Sequence, residues 1–170
     1  MKKIALLLLY YLCQSCADKN NSFDEFDITY SNFFQVHNSI KLTNSDTVFI
    51  RKYYEDFELK NPYYHKDYYA ILNKTDRDNI NKAIANINLY NYDSVYQNKI
   101  IVDGFIYRIY LKKDDTEKSI FVSNKMPPEE LNQLKQLILK SVDNLKLLKT
   151  DKNFSIKSQD IFPEPEKITY

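Results

Sequence analysis

The chain has 170 residues, with 24 basic and 23 acidic side chains and a formal net charge of +1. A charge so near zero lacks the basic surplus expected of a nucleic-acid-binding protein. The chain contains a single glycine, which excludes the glycine-rich phosphate loop and the nucleophile elbow, because both motifs need several glycines.

The first fifteen residues have the pattern of a secretory signal peptide. Lys2 and Lys3 form a basic start, and an unbroken apolar or aromatic run extends from Ile4 to Leu12. Ser15 then supplies a small residue just before a polar stretch begins. The apolar run falls short of the ~20 residues that a membrane-spanning helix requires, which favours a cleaved leader.

The end of this leader, Cys13-Gln14-Ser15-Cys16, resembles the lipobox of bacterial lipoproteins, and the composition of the chain is similar in style to small lipoproteins of Bacteroidota. The resemblance implies that Cys16 is the lipidated residue and that residues 1–15 are removed. Acyl chains such as palmitate would then hold the protein on a membrane surface. The sequence departs from the family pattern at Cys13, where leucine is usual. An ordinary secretory leader, in which Cys16 is incidental, is the alternative.

The resemblance also bears on location and organisation. Ala17, rather than aspartate, follows the lipidated cysteine, and in the best-known lipoprotein sorting rule this implies the outer membrane, on its periplasmic face or at the cell surface. Residues 16–25 are then expected to form a lipidated tether, residues 26–149 a single domain and residues 150–170 a loosely ordered tail. No cysteine lies beyond position 16, so the domain has no thiol for a disulfide or a cysteine-ligated zinc.

A first hairpin is predicted between residues 39 and 54, around the turn-forming Asn44-Ser45-Asp46. Pairing Thr43 with Thr47 puts the apolar residues of both strands on one face, as a half-buried antiparallel pair requires. Those residues are Ile40, Leu42, Val48 and Ile50. An earlier segment, Phe26–Phe34, has a weaker pattern, which predicts an edge strand.

A second hairpin is predicted at Asp103-Gly104, which lies between two apolar runs. The pair suits a type I′ turn, since glycine accepts the positive φ that this turn needs. The turn would pair Ile100 with Tyr107, and alternate residues after it would share one face: Phe105, Tyr107, Ile109 and Leu111. A further turn at Asp114–Glu117 would bring Ile120 opposite Leu111 and complete a three-stranded meander.

Two helices complete the predicted domain. Thr75 and Asp78 resemble a capping box, and apolar residues follow at helical spacing: Ile80, Ala83, Ile84 and Ile87. The second helix is expected to begin near Pro127-Pro128, because proline suits a first helical turn. Its apolar stripe is Leu131, Leu134, Ile138, Val142 and Leu145. Together these elements predict an α+β fold, with an antiparallel sheet of about five to six strands and both helices packed on one face.

The sequence contains little that points to catalysis. His37 and His65 are the only histidines, and His65 has Asp67 nearby, a combination that can serve as a base or a metal ligand. Two isolated histidines without a thiol or an HExxH spacing do not have metal-ligand spacing. The acidic residues at positions 55, 56 and 58 are typical of a solvated loop. We therefore predict no catalytic residue, no metal and no cofactor.

Six tyrosines in adjacent pairs form the candidate binding surface: Tyr53, Tyr54, Tyr63, Tyr64, Tyr68 and Tyr69. Adjacent residues of a strand face opposite ways, so one tyrosine of each pair can enter the core while the other faces out. Outward tyrosines suit protein or glycan partners. Tyrosine is also common throughout this chain and favours strands, which is the purely structural alternative.

These observations predict a lipid-anchored, non-catalytic binding or accessory domain of the cell envelope. Its expected partners are the membrane, through the lipid, and an envelope protein or glycan, with no nucleic acid. Two other hypotheses stay open: an envelope hydrolase built from scattered carboxylates, since paired acids can come from distant positions, and an immunity- or inhibitor-type lipoprotein. Two acids facing each other in a closed pocket would favour the hydrolase, and a flat tyrosine-bearing surface would favour binding.

Overall fold

The computed structural model describes residues 23–32, 37–55, 63–100 and 104–159. Within these residues it contains eight strands, two α-helices and one short 3-10 turn. In chain order they are β1 (Glu25–Asn32), β2 (Asn38–Leu42), β3 (Thr47–Glu55), β4 (Tyr63–Ile71), α1 (Lys74–Ala85), the 3-10 turn (Leu89–Asn91), β5 (Val95–Gln97), β6 (Phe105–Lys113), β7 (Thr116–Ser123), α2 (Glu129–Asp143) and β8 (Leu148–Lys149).

All eight strands belong to one sheet, in the order β5-β7-β6-β1-β2-β3-β4-β8. Every described pair is antiparallel except β5 with β7. The predicted α+β class is confirmed, whereas the prediction of five to six antiparallel strands is wrong in the number of strands and in the direction of one pair. The strands β5 and β8, at three and two residues, are too short to show any alternation in the sequence.

One face of the sheet, called here the inner face, carries both helices and the main apolar core. The first hairpin has the predicted register, with Ile40 opposite Ile50 and Leu42 opposite Val48, and all four side chains are buried. The helices bury their predicted stripes against the same face, through Ile80, Ile84, Leu131, Leu134 and Ile138. The prediction that both helices pack on one face is therefore confirmed.

The first helix begins two residues earlier than predicted. The Asn73 side chain accepts a hydrogen bond from the Asp76 N–H at 2.9 Å, so the cap is Asn73 and not Thr75. The sequence offers both registers, because each of these residues precedes an aspartate by three places and both asparagine and threonine are good caps. The second helix follows Pro128, as predicted.

Strand β1 lies in the middle of the sheet, between β2 and β6, and the prediction of an edge strand over Phe26–Phe34 is wrong. Its inward residues are apolar, but Asp27 and Thr29 on the opposite face are also fully buried. A strand with one polar side resembles a solvent-facing edge strand in the sequence. Here that polar side is covered by another part of the chain.

The predicted hairpin across Asp103-Gly104 is wrong. Tyr107 pairs with Tyr30 on one side and with Val122 on the other, and Ile100 is 90 % exposed in a turn. Residues 101–103 lie outside the described residues. The apolar side chains that alternate along β6 fit those of β1 as well as those of the apolar segment before Asp103. Alternation alone therefore could not identify the strand that pairs with β6.

Gly104 has no positive φ, so the predicted type I′ conformation is not what requires glycine there. The Asn124 side chain occupies the space that a Cβ atom at position 104 would need. The close approach of this side chain therefore explains the only glycine in the chain.

The hairpin between β6 and β7 was predicted with the right facing and a register shifted by two residues. Ile120 lies opposite Ile109, not Leu111, and Val122 lies opposite Tyr107. The loop contains only two residues, and Asp114 adopts a φ of 53°, which aspartate tolerates better than most residues. A shift by two keeps every side chain on its predicted face.

The opposite side of the sheet, called here the outer face, is covered by residues 150–159, which we call the strap. The Phe154 ring stacks on Phe49 of β3 with centroids 5.0 Å apart, and Lys41 of β2 donates to the Ser155 carbonyl at 3.0 Å. The strap then reaches β1, where Asp27 accepts hydrogen bonds from the main-chain N–H groups that follow.

The strap corrects the prediction of a loosely ordered tail over residues 150–159. Three of its side chains are buried, Phe154, Ile156 and Ser158. The remainder of the predicted tail, the leader and most of the tether lie outside the described residues. In the part of the chain that the structure describes, no helix is long and apolar enough to cross a membrane.

Candidate functional site

The tyrosines are brought together by the long pairing of β3 with β4. This pairing extends from Thr47 opposite Ile71 to Glu55 opposite Tyr63. The sequence predicts no strand over residues 63–71, because their charged and aromatic residues do not alternate with an apolar face. The signal that was available was the presence of a tyrosine pair on each side of the connecting segment, at positions 53–54 and 63–64. We call the end of this hairpin, formed by Tyr53, Tyr54, Tyr64, His65 and Lys66, the tyrosine end.

On its inner side, the tyrosine end presents two stacked rings and a cation. Tyr54 and Tyr64 lie opposite each other, with ring centroids 5.4 Å apart and planes at 17°. The Lys66 ammonium lies 5.1 Å from the Tyr54 centroid and 5.6 Å from the Tyr64 centroid, within cation–π range. A hydrogen bond with Tyr68, together with burial, raises the pKa of Tyr54 to about 12. The Tyr54 hydroxyl is thus held by Tyr68, and the two stacked rings present aromatic area beside the Lys66 ammonium.

On its outer side, the tyrosine end combines one tyrosine with both histidines of the chain. The His37 ring lies 4.1 Å from the Tyr53 ring, and the His65 ring lies 5.9 Å from Tyr53 on the other side. In the sequence, the histidines and the tyrosines are separate features. Pairing of β2 with β3 and of β3 with β4 is what places them in one aromatic row.

Asp67 does not act as the acidic partner of His65. Its carboxylate accepts two hydrogen bonds from Arg51, from Nε at 2.8 Å and from Nη2 at 2.9 Å, and both side chains are largely buried. This contact is the main cause that raises the pKa of Arg51. The Arg51 guanidinium also lies 4.8 Å from the centroid of the Phe154 ring. The ion pair thus joins β3, β4 and the strap, and its two charges neutralise each other.

The six candidate tyrosines do not form one surface. Tyr53, Tyr54 and Tyr64 lie at the tyrosine end and are half-buried. Tyr68 packs against the main core, and Tyr69 packs against the small cluster of Phe49, Phe154 and Ile156 under the strap. The Tyr63 side chain lies outside the described residues.

A groove of about 470 Å³ lies beside β4, next to the tyrosine end. Its lining comes from the strand pair and from the start of the strap: Arg51, His65, Lys66, Asp67, Lys149, Thr150, Asp151, Lys152 and Asn153. This lining has four cationic and two acidic side chains, and the Arg51–Asp67 pair accounts for one of each. The accessible charge of the groove is therefore positive.

The buried carboxylate of Asp27 was not anticipated by the sequence analysis. It accepts hydrogen bonds from the N–H groups of Lys157 at 3.1 Å and Ser158 at 2.8 Å. The Thr29 hydroxyl beside it lies 2.7 Å from that of Ser39 and 2.9 Å from that of Ser158. Burial raises the pKa of Asp27 above its ordinary value, although these donors and Lys41 lower it. The geometry makes Asp27 a clamp on the strap.

Within the described ranges, no three His, Cys, Asp or Glu side chains come together as a metal ion would require. Comparison of the sequence with models of known protein families gives no match. Comparison with curated proteins gives none either.

Proposed function

We propose that this protein is a lipid-anchored binding domain of the cell envelope, which contacts an envelope protein or glycan through its tyrosine end and performs no chemistry of its own. The observation that carries the proposal is the leader ending at Cys16, because a lipid there would fix the protein on a membrane surface. The sorting pattern after that cysteine supports the outer membrane as the location.

The topology of the sheet supports an orientation in which the tyrosine end points away from the membrane. The described chain starts at Phe23, just before β1, and β1 extends from Glu25 towards Asn32. Cross-strand pairing places Phe26 in one row with Val48 and Ala70, and Tyr30 in one row with Lys52 and Lys66. The tyrosine end therefore lies at the end of the sheet remote from the tether.

The separation between the two ends is about one strand length, roughly 25 Å for the eight residues of β1. A domain held through residues 16–25 would thus have the end of the sheet at which β1 begins near the bilayer. The aromatic rings of the tyrosine end would then point away from the membrane. Rigid rings with a hydroxyl edge and an ammonium above them can stack on a sugar ring or on a partner side chain, and they lose little entropy on binding. This placement is what a receptor-like surface on an anchored protein needs.

The anchor is tested by substitution of the two cysteines of the leader in the full chain expressed in bacterial cells. Cys16→Ser is expected to move the protein out of the membrane fraction, because it removes the sulfur that carries the lipid. Cys13→Ser is the matched control, and it should remain in the membrane fraction. A membrane-bound Cys16→Ser protein, or loss of anchoring in Cys13→Ser, would contradict the proposal.

The binding surface is tested by photo-crosslinking in intact cells from an unnatural side chain at position 65, which is exposed. The Tyr54→Ser/Tyr64→Ser variant should lose at least ~90 % of a crosslinked envelope partner, since hot-spot tyrosines carry most of an interface's binding energy. Tyr90→Ser removes a ring that is 81 % exposed and lies outside the tyrosine end, so its crosslinking should be unchanged. Thermal melting of each variant separates loss of binding from loss of fold. Equal crosslinking by the double variant and the wild-type chain would refute a role for these rings.

A further inference from the structure

Near the tyrosine end, one edge of β4 has no neighbouring strand among the residues that the structure describes. On one side β4 pairs with β3 over all nine residues. On the other side β8 pairs with it only at Tyr68 and Tyr69, and the ladder ends where the Thr150 N–H donates to the Asp67 carbonyl at 3.1 Å. Among the described residues, no strand pairs with positions 63–66 on that side.

The main-chain groups that this edge offers follow from the alternation of the ladder. In an antiparallel strand, the N–H and C=O of one residue point to the same side, and those of the residue two places away do likewise. The Asp67 carbonyl points to the β8 side, where it binds Thr150. The main-chain N–H and C=O of His65 therefore open into the groove beside β4.

The groove gives this edge a charge preference. Lys66, Lys149 and Lys152 line it together with Asp151, and the Lys66 ammonium also lies over the Tyr54 and Tyr64 rings of the inner side. Asp67 is already neutralised by Arg51. The whole chain carries a net charge of only +1, so the positive character of the groove is local and does not simply reflect composition.

We infer that the edge of β4 beside His65 is a strand-addition site, which takes an extended, acidic segment of a partner polypeptide. Main-chain hydrogen bonds to His65 would supply affinity, and the lysines of the groove would select acidic side chains. The inference rests on the proposed binding function and specifies the class of partner. The same lysines disfavour edge-to-edge pairing of two copies, because such pairing would bring like charges together.

The test uses a short synthetic peptide of alternating Glu and Thr, blocked at both ends, titrated calorimetrically into the full chain in detergent micelles. Two matched peptides accompany it. One has Lys in place of Glu, and the other keeps the Glu/Thr sequence but is methylated on alternate main-chain nitrogens. The parent peptide is expected to bind at least ~10-fold more tightly than either control. The Lys peptide loses the charge match with the groove, and the methylated peptide loses main-chain hydrogen-bond donors.

Variants of the protein test the same main-chain hydrogen bonds and the same charge match by changing the groove instead of the peptide. His65→Pro removes this main-chain N–H and should weaken binding of the parent peptide about tenfold. Tyr90→Ser, at an exposed ring outside the groove and the tyrosine end, is the control and should leave binding unchanged. Proline is compatible with the solvent side of an edge strand, so the ladder to β3 can persist. If His65→Pro does not fold, the methylated peptide and the Lys66→Glu/Lys149→Glu variant, also expected to weaken binding about tenfold, decide the question.

Equal binding of the methylated and parent peptides would overturn the inference, as would tighter binding of alginate, an acidic polysaccharide, than of the parent peptide. Persistence of the envelope crosslink from position 65 in Lys66→Glu/Lys149→Glu would also overturn it, while leaving the proposed function intact. Conversely, release of Cys16→Ser from the membrane does not depend on the groove, so failure of the anchor and failure of the strand-addition site are distinguishable.

Discussion

The two faces of the sheet are equally buried at their centre but are covered by different physical means. Ile28 on the inner face and Asp27 on the outer face, which are neighbours in β1, are both 0 % exposed. The inner face packs apolar side chains under two helices, whereas the outer face pairs hydroxyls, a carboxylate and an ion pair with the strap. A polar surface can therefore be buried in this fold because its groups find partners.

This difference predicts that the inner core, under the helices, contributes more to the free energy of unfolding than the outer layer, which is the strap with the outer-face residues it covers. Full burial of a large apolar side chain contributes about 1.5–3 kcal/mol, whereas an intramolecular hydrogen bond contributes a net of about 1 kcal/mol. The strap has few apolar anchors, of which Phe154 is the largest. We therefore expect the strap to open locally while the inner core remains folded.

The largest effect is expected from the inner face. Phe26→Ala removes a fully buried ring from the central strand and should lower the free energy of unfolding by about 3–5 kcal/mol, measured by urea denaturation. Ile71→Ala, at a side chain that is 56 % exposed, is the control and should change it by less than ~0.5 kcal/mol. A cost below ~1 kcal/mol for Phe26→Ala would mean that the inner face is not the principal source of stability.

A smaller effect is expected from the main anchor of the strap. Phe154→Ala removes the stacking with Phe49 and the contact with Arg51. Its cost cannot exceed the free energy with which the strap docks, which we expect to be about 1–3 kcal/mol. Hydrogen exchange should accelerate for strap amides and stay unchanged at Ile28. Equal acceleration at Ile28 would show that the two layers open together and would contradict independent opening of the strap.

Asp27 should make the stability of the outer layer depend on pH. Because burial raises its pKa, the folded chain binds the proton more tightly than the unfolded chain does. The contribution of Asp27 to the free energy of unfolding should therefore fall as the pH rises from its ordinary pKa of 3.8 through the raised value.

Asp27→Asn removes this pH dependence and places an amide N–H₂ against one of the two main-chain donors, at a cost of about 1–3 kcal/mol. The stability advantage of the wild-type chain over the variant should shrink between pH 4 and pH 7, as measured by urea denaturation at each pH. An advantage that grows with pH over this interval would contradict the assignment.

The smallest effect concerns the start of the first helix of the inner layer. Asn73→Ala should lower the free energy of unfolding by about 1 kcal/mol, because it removes the acceptor for the Asp76 N–H. Thr75→Ala, at the cap that the sequence suggested, should not lower the free energy of unfolding and should raise it by up to a few tenths of a kcal/mol, because alanine is the better helix former. Chemical denaturation of both variants gives the comparison, and the reverse order would place the cap at Thr75.

The elements that were predicted well are those whose pattern is complete in one stretch of chain. The hairpin of β2 and β3 has alternation on both strands and turn chemistry between them, so its register followed from the sequence. Strand β6 was predicted with the right facing, but its partner was not, because β1 has a compatible alternation. Strand β4 was missed, since Tyr64, Lys66 and Tyr68 on its inner side are not a conventional apolar series.

The candidate site was predicted only in part. The tyrosine pairs drew attention to the correct region, but their division among the aromatic end, the main core and the strap cluster depends on cross-strand pairing. The contacts of His37 and His65 with Tyr53 depend on the position of β2, and the edge beside His65, unpaired among the described residues, depends on the position of β8. None of these contacts is local in sequence.

The sequence by itself determined the pattern of the leader, the apolar alternation of the inner face and the stripes of both helices. These follow from local periodicity, because an element that covers a core must repeat apolar residues at its own structural period. Only the tertiary structure decided that β1 is central, that residues 150–159 cover the outer face and that β8, of the described strands, pairs with only two residues of β4. Every strand offers the same main-chain donors and acceptors, so the choice of neighbour is made by the packing of the whole sheet.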